Sequence, residues 1–271
     1  MTDSPSPSGL SAPSAPSAAS PDPAQTSGPG PDTPRVPEAE PSAEEGRFVL
    51  PLVVRIERAV PPTRTDAMET AARAVLTFLA DPRTDEETGE WHKRVRLWEE
   101  RGIRKVVRRA RGSEWRRTEP LEGITLAART AEVRVFPPVP LDGWPRELSR
   151  LQVSGTDLED PEPPPPPEAG EPVLWLSPVL EMTAGKAMAQ AAHAAQLAWW
   201  DLSEPARVSW RDAAFPLAVR VARDARHWES LTTSGLPVVR DAGFTEIAPG
   251  SCTVVAEHPA LRPPSTPRDS G

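Results

Sequence analysis

Apolar positions along this 271-residue chain gather into two blocks, separated and flanked by proline-rich polar sequence. In the second block, Val173–Ser177 is a short unbroken apolar run of the kind a buried strand shows. Pro178–Thr183 reads as a turn. Thr183 is placed to cap a helix that starts near Gly185 and runs through Ala187, Met188, Ala191, Ala192 and Ala195 to Trp200. Alanine forms helix readily and lets another element pack close. Leu202–Arg211 reads as a connection with at most a short helical turn. Pro216–Val221 reads as a second strand, and Asp224–Ser234 as a second helix closed by Gly235 and Pro237. Val238–Val239 and Cys252–Ala256 add two further strands. The order strand, helix, strand, helix, strand, strand predicts an α/β fold, a small mixed β-sheet flanked by helices.

The first block repeats this order. Thr63, Ala67, Met68, Ala71, Ala72, Ala74 and Asp81 match Thr183, Ala187, Met188, Ala191, Ala192, Ala194 and Asp201, 120 positions on. Gly123, Thr125, Ala128 and Val135 match Gly243, Thr245, Ala248 and Val255 at the same offset. Two anchors at one offset argue for a tandem duplication; two unrelated amphipathic helices in an Ala-rich chain are the alternative. The expected plan is a tail at 1–46, an α/β unit at 47–153, a linker at 154–171, a second α/β unit at 172–260 and a tail at 261–271. The first tail is Pro, Ser, Ala and Gly with almost no large apolar residue, too little to offset its ordering entropy, and is expected to be disordered. The run Pro163–Pro167 favours a polyproline II spacer.

Composition narrows the function. No basic start followed by an apolar run marks a secretory signal, and no stretch approaches a membrane span, so a soluble cytoplasmic protein is expected. One cysteine, Cys252, rules out an internal disulfide; in its alternating run it reads as a small core residue rather than a nucleophile. His92, His193, His227 and His258 lie far apart without partners at zinc-ligand spacing, so no metal or cofactor is expected. The formal charge of −8 argues against a uniformly basic nucleic-acid-binding face.

Two segments carry candidate chemistry. In Met182–Ala195, Lys186, Gln190 and His193 are spaced i, i+4, i+7 and share one helix face. Lys186 falls in the first turn, where backbone N–H groups and the helix dipole favour a phosphate or a developing oxyanion; a solvated surface lysine is the alternative. In Asp241–Ser251, Asp241-Ala-Gly reads as a turn with Gly243 at positive φ, and Asp241 is either a site carboxylate or the acceptor of an Asx turn. These segments resemble the peptidyl-tRNA hydrolases of the type found in archaea and eukaryotes. Gly185, Lys186, Ala189, Gln190, His193 and Ala194 match that family's Gly-Lys-x-x-Ala-Gln-x-x-His-Ala helix. Asp241-Ala-Gly, Thr245, Ile247, Pro249, Gly250 and Ser251 match its Asp-Ala-Gly-x-Thr-x-Ile-x-Pro-Gly-Ser/Thr loop. The resemblance implies that Lys186, Asp241 and Thr245 are catalytic, that Gly185, Gln190, His193, Gly243, Pro249 and Gly250 support them, and that the substrate is peptidyl-tRNA. It also implies dimerisation, which a duplicated chain would satisfy internally as a monomeric pseudo-dimer, with a homodimer as the alternative.

The departures fall on the nucleic-acid-facing positions. Glu181, Thr183 and Ala184 stand where the family places further Lys or Arg, and Phe244 and Glu246 stand where it has Arg and Gln. Each lost phosphate contact weakens binding and its salt dependence. In the first block the aligned positions hold Asp66, Thr70, Arg73 and Leu121, leaving only Thr125, so that block is expected to be catalytically dead. A basic set there, Arg101, Arg104, Lys105, Arg108, Arg109, Arg111, Arg116 and Arg117 beside Trp115, is either a phosphate-binding strand face or a solvated charged edge. An inactive descendant serving as an RNA- or protein-binding scaffold is the competing reading.

Overall fold

The computed structural model describes residues 46–243 and 247–262; the expected tails lie outside these residues except for Gly46 and for 261–262. The first half runs β1 (Phe48–Arg55), α1 (Arg64–Leu79), α2 (Pro82–Asp85), α3 (His92–Glu100), β2 (Lys105–Ala110), α4 (Gly112–Thr118), β3 (Ile124–Ala127), β4 (Glu132–Val135), β5 (Val139–Pro140) and α5 (Arg146–Ser149). The second runs β6 (Val173–Leu176), α6 (Ala184–Asp201), α7 (Glu204–Asp212), β7 (Ala218–Val221), α8 (Ala225–Thr232), β8 (Val238–Arg240) and β9 (Cys252–Glu257). Among these, no helix is long and apolar enough to cross a membrane.

The two mixed sheets have one topology. Their strand orders are β2-β1-β4-β3, with β5 added on β1, and β7-β6-β9-β8. In each, the first strand is central, parallel to the second and antiparallel to the last, and the last two strands pair antiparallel. α1 and α6 pack against each other. Their alanines, including Ala67, Ala71 and Ala74 on one and Ala187, Ala191 and Ala195 on the other, are fully buried in a core shared by both sheets. Small side chains permit that close approach, and both helices are buried on nearly every side, which explains why their sequences read as Ala-rich rather than as one apolar stripe.

Ladder positions refine the internal alignment. Thr63 and Thr183 are the N-caps of α1 and α6, so the offset of 120 holds there; it does not hold at the last strand, where Val135 faces the core shared with the helices and Val255 the opposite side of its sheet. It also fails at Gly123, Thr125 and Ala128. Thr125 lies within the edge strand β3, paired with Arg134 of β4, whereas position 245 follows the equivalent edge strand β8, so the two do not correspond. Likewise Asp241 follows β8 and does not correspond to Leu121, which precedes β3. The cause is loop length: β3 and β4 are joined by the short connection 128–131, and β8 and β9 by the longer loop 241–251.

Further expectations are revised. The connection after α6 is a nine-residue helix, α7, with proline in its first turn and Trp210 buried. Cys252 is only partly buried at the start of β9, where Arg240 Nη1 donates to its Sγ at 3.1 Å, so it is no core residue. The basic set does not form one face. Arg108 Nη1 donates to the carbonyls of Ser149 and Leu151 and its guanidinium lies 4.4 Å from the Trp144 ring centre. Arg109 donates to Ser154 O and Gln152 Oε1, and Trp115 is buried in the core. Strand-edge arginines that satisfy backbone carbonyls hold the segment 149–154 over β2 instead of meeting phosphate.

The proline-rich linker is tied down at several points. Thr156 and Leu158 are buried. Asp160 accepts from the backbone N and hydroxyl of Thr65 at 2.9 and 2.7 Å, which places a carboxylate on the positive end of α1. Thr156 Oγ1 accepts from Gly185 N at 2.9 Å, and Pro165 O accepts from Arg220 Nε at 2.9 Å.

Candidate active site

α6 presents Lys186 and Gln190 toward the loop that follows β8. Lys186 Nζ donates to Asp241 Oδ2, and Gln190 Nε2 donates to the same oxygen at 2.8 Å. Gly243 N donates to Asp241 Oδ1 at 2.8 Å, so Asp241 is at once the acceptor of an Asx turn and the partner of a lysine; the two sequence alternatives coexist. The Lys186 side chain is 13% exposed and that of Asp241 3%. A pair this buried is held by geometry: removing one partner would leave an uncompensated charge.

The loop is built to hold Asp241. Its backbone closes a neck, with Asp241 N donating to Ser251 O at 2.9 Å and Gly250 N to Asp241 O at 2.7 Å. Gly243 has φ +79°, and a side chain there would run into the Pro249 ring. Pro249 thus packs against Gly243, and Gly250 closes the neck. Thr245 lies outside the described residues.

Two supporting residues escaped the sequence reading. Thr253 on β9 donates to Gln190 Oε1 at 2.7 Å, which fixes the Gln190 amide with its nitrogen toward Asp241. A hydroxyl inside the otherwise apolar run Cys252–Ala256 was the signal available. Thr156 had none, because its partner Gly185 lies 29 residues away. Gly185 is close-packed against it: a Cβ would meet Thr156 Oγ1 at 2.9 Å. The backbone N–H groups of Gly185 and Lys186 are satisfied by Thr156 Oγ1 and Thr183 Oγ1, so the first turn of α6 does not offer them to an anion as the sequence suggested.

His193 lies farther along the same helix, partly buried, and its Nδ1 is 3.1 Å from Lys105 Nζ of β2. Desolvation, followed by the ammoniums of Lys105 and Lys186, holds its imidazole well below the usual histidine range. It is therefore neutral at pH 7, and Nδ1 accepts from Lys105. Lys186, Gln190, His193 and Asp241 all line one cleft of about 870 Å³. That volume is at the upper end for small-molecule sites and accommodates a nucleotide-sized group with room for a second.

The equivalent place in the first half is closed. Asp66, at the position of Lys186, is buried, and its Oδ2 accepts from Thr130 N, Thr130 Oγ1 and Ala131 N at 2.6, 2.8 and 2.9 Å. The short β3–β4 connection sits where the second half has its longer loop, and the carboxylate serves as its anchor.

The second half is thus a small mixed-sheet α/β unit with a buried Lys–Asp–Gln cluster opening on a cleft. Residues 173–263, about a third of the chain, match the family Peptidyl-tRNA hydrolase PTH2. No curated protein matches the chain.

Proposed function

We propose that this protein hydrolyses the ester between a peptide and the 3′ end of tRNA, releasing free tRNA, with the second half as the catalytic unit. The observation that carries this reading is the buried Lys186–Asp241–Gln190 cluster at the wall of a large cleft, within the residues that match the family. Water adds to the peptidyl carbonyl carbon, the carbonyl oxygen gains negative charge, and the tetrahedral intermediate collapses as the bond to the ribose oxygen breaks. The ribose oxygen takes up a proton, and the peptide leaves as a carboxylate. Lys186 supplies the positive charge that stabilises the oxyanion. Asp241 holds Lys186 in place and takes three donors among the described residues, on about four lone-pair positions, so that it can also orient the water. Gln190, fixed by Thr253, locks the carboxylate. Thr245 completes the trio by family likeness.

The chain is read as a tandem duplication, units 47–153 and 172–260, whose halves form a monomeric pseudo-dimer. The shared topology and the α1–α6 packing support that reading; light scattering should give the mass of one chain. In the cleavage assay, Lys186→Ala and Asp241→Asn should each reduce peptide release from peptidyl-tRNA by at least about 100-fold, the scale of lost transition-state charge stabilisation. Full activity in either variant contradicts the assignment. Retained tRNA binding with no cleavage by the wild type would mark the chain as a scaffold instead.

A further inference from the structure

One wall of the cleft comes from the half that does not match the family. Among the described residues its lining carries six cationic side chains, Arg47, Arg101, Arg104, Lys105, Lys186 and Arg240, against the single carboxylate of Asp241. The whole chain has a formal charge of −8, so the excess acid lies elsewhere and the positive charge is concentrated in a concave site whose low-dielectric walls focus its field. Four of the six cations lie in the first half: Arg47 just before β1, and Arg101, Arg104 and Lys105 around the entry to β2.

Lys105 sharpens the point. It is 6% exposed, and its Nζ meets neutral acceptors: His193 Nδ1 at 3.1 Å, Gln196 Oε1 at 2.5 Å and Ile103 O at 3.4 Å. It also lies 4.9 Å from the Trp98 ring centre. Burial pushes its ammonium well below the usual lysine range, and Glu99 on α3 opposes this only in part. Lys105 and Lys186 both act on His193; Glu99 acts on Lys105, and Asp241 pairs with Lys186. Such a cluster is complemented by an anionic ligand.

We propose that the first half is the nucleic-acid-binding wall of the cleft. Arg47, Arg101 and Arg104 hold phosphates of the single-stranded 3′ end of tRNA, and Lys105 faces the terminal nucleotide from across the cleft. This rests on the hydrolase reading for the identity of the polyanion. It also accounts for the chemistry of the catalytic half, where Thr183, Ala184 and Phe244 stand at positions the family fills with basic residues: the lost charges are supplied by the duplicated copy. The decayed half has kept its fold and exchanged catalysis for binding.

The test is equilibrium binding of deacylated tRNA to the full chain, by fluorescence anisotropy across a salt series, so that no turnover is needed. For a single strand each phosphate contact contributes about 0.7 to the slope of log K against log salt. The double variant Arg47→Glu/Arg101→Glu should lower affinity at least tenfold and flatten the slope by about 1.4. The neutral pair Arg47→Gln/Arg101→Gln should give an intermediate loss, which keeps the test valid if the charge reversal perturbs folding. Arg116→Glu/Arg117→Glu on α4, of equal charge change but outside the cleft lining, should lose less than the Arg47/Arg101 pair. Unchanged affinity and slope in the cleft variants, an equal loss in the α4 control, or no binding by the wild type would overturn the proposal. A wild type that binds in this way but does not cleave leaves the binding wall standing and removes only the hydrolase reading.

Discussion

Replacing Glu69 with alanine should weaken the fastening between the two halves and destabilise the chain as a whole. Glu69 lies on α1, yet its Oε1 accepts from Val219 N at 3.1 Å and from Arg220 Nη1 at 2.7 Å, both on β7 of the other half. The two side chains are only 10% and 12% exposed. Truncation leaves Arg220 without its carboxylate and a buried strand N–H without an acceptor. Breaking one side of a buried ion pair costs about 3–5 kcal/mol, and an orphaned buried donor about 1–3 kcal/mol. These overlap because one oxygen serves both donors, and Arg220 keeps its bonds to Pro165 O and Val219 O. The expected loss is therefore about 3–4 kcal/mol. Glu69→Gln, which can keep an acceptor for Val219 N, should lose roughly half of that. Urea unfolding of the full chain, followed by tryptophan fluorescence, measures both. A single transition shifted to lower urea is expected in each case. A loss below about 1 kcal/mol for Glu69→Ala would refute the view that this bridge fastens the halves.

Three further outcomes follow from the same contacts. Thr253→Val conserves shape but leaves Gln190 Oε1 without its donor, so it should cost about 1–3 kcal/mol in urea unfolding and, for each 1.4 kcal/mol of lost positioning, lower kcat/KM about tenfold. Gly243→Ala forces a side chain into positive φ and onto Pro249, and should lower Tm and peptide release together, with a backbone cost of about 1–2 kcal/mol; wild-type values for both would exclude a strained loop. His193 and His258 are both held below the usual histidine range, so each binds its proton less readily folded than unfolded. The stability this confers is complete above the unfolded value of about 6.5 and is lost as pH falls from there through the folded values. The urea midpoint should therefore drop between pH 7.5 and pH 5, and His258→Gln, at a site depressed by burial, should reduce that drop.

Much of the second half was legible because its signals are local. Thr183 caps α6, Asp224 caps α8, and the apolar run at 173–176 is the central strand β6. Spacing alone put Lys186, Gln190 and His193 on one face. What stayed hidden depends on pairing across long separations. The ladder register separated Thr125 from Thr245 because inserted loop length leaves no mark on an ungapped alignment. α7 was missed because its helical signal is brief and includes a proline, although that proline sits in the first turn, where it is tolerated. Arg108 and Arg109 looked like a phosphate-binding face because alternation predicts direction but not partners, and here the partners are carbonyls of 149–154. Lys105 stood out only as one of the basic set, and its contact with His193, 88 residues away, left no mark in the sequence.

The central claim is that the Lys186–Asp241 cluster directs water onto a peptidyl-tRNA ester. Cleavage of N-acetyl-aminoacyl-tRNA by the full chain in water enriched in heavy oxygen, with mass analysis of both products, tests it most directly. The account predicts one labelled oxygen in the released carboxylate, none in the tRNA 3′ hydroxyl, and loss of release in Lys186→Ala. Release that persists undiminished in Lys186→Ala, or label appearing on the tRNA, would contradict it.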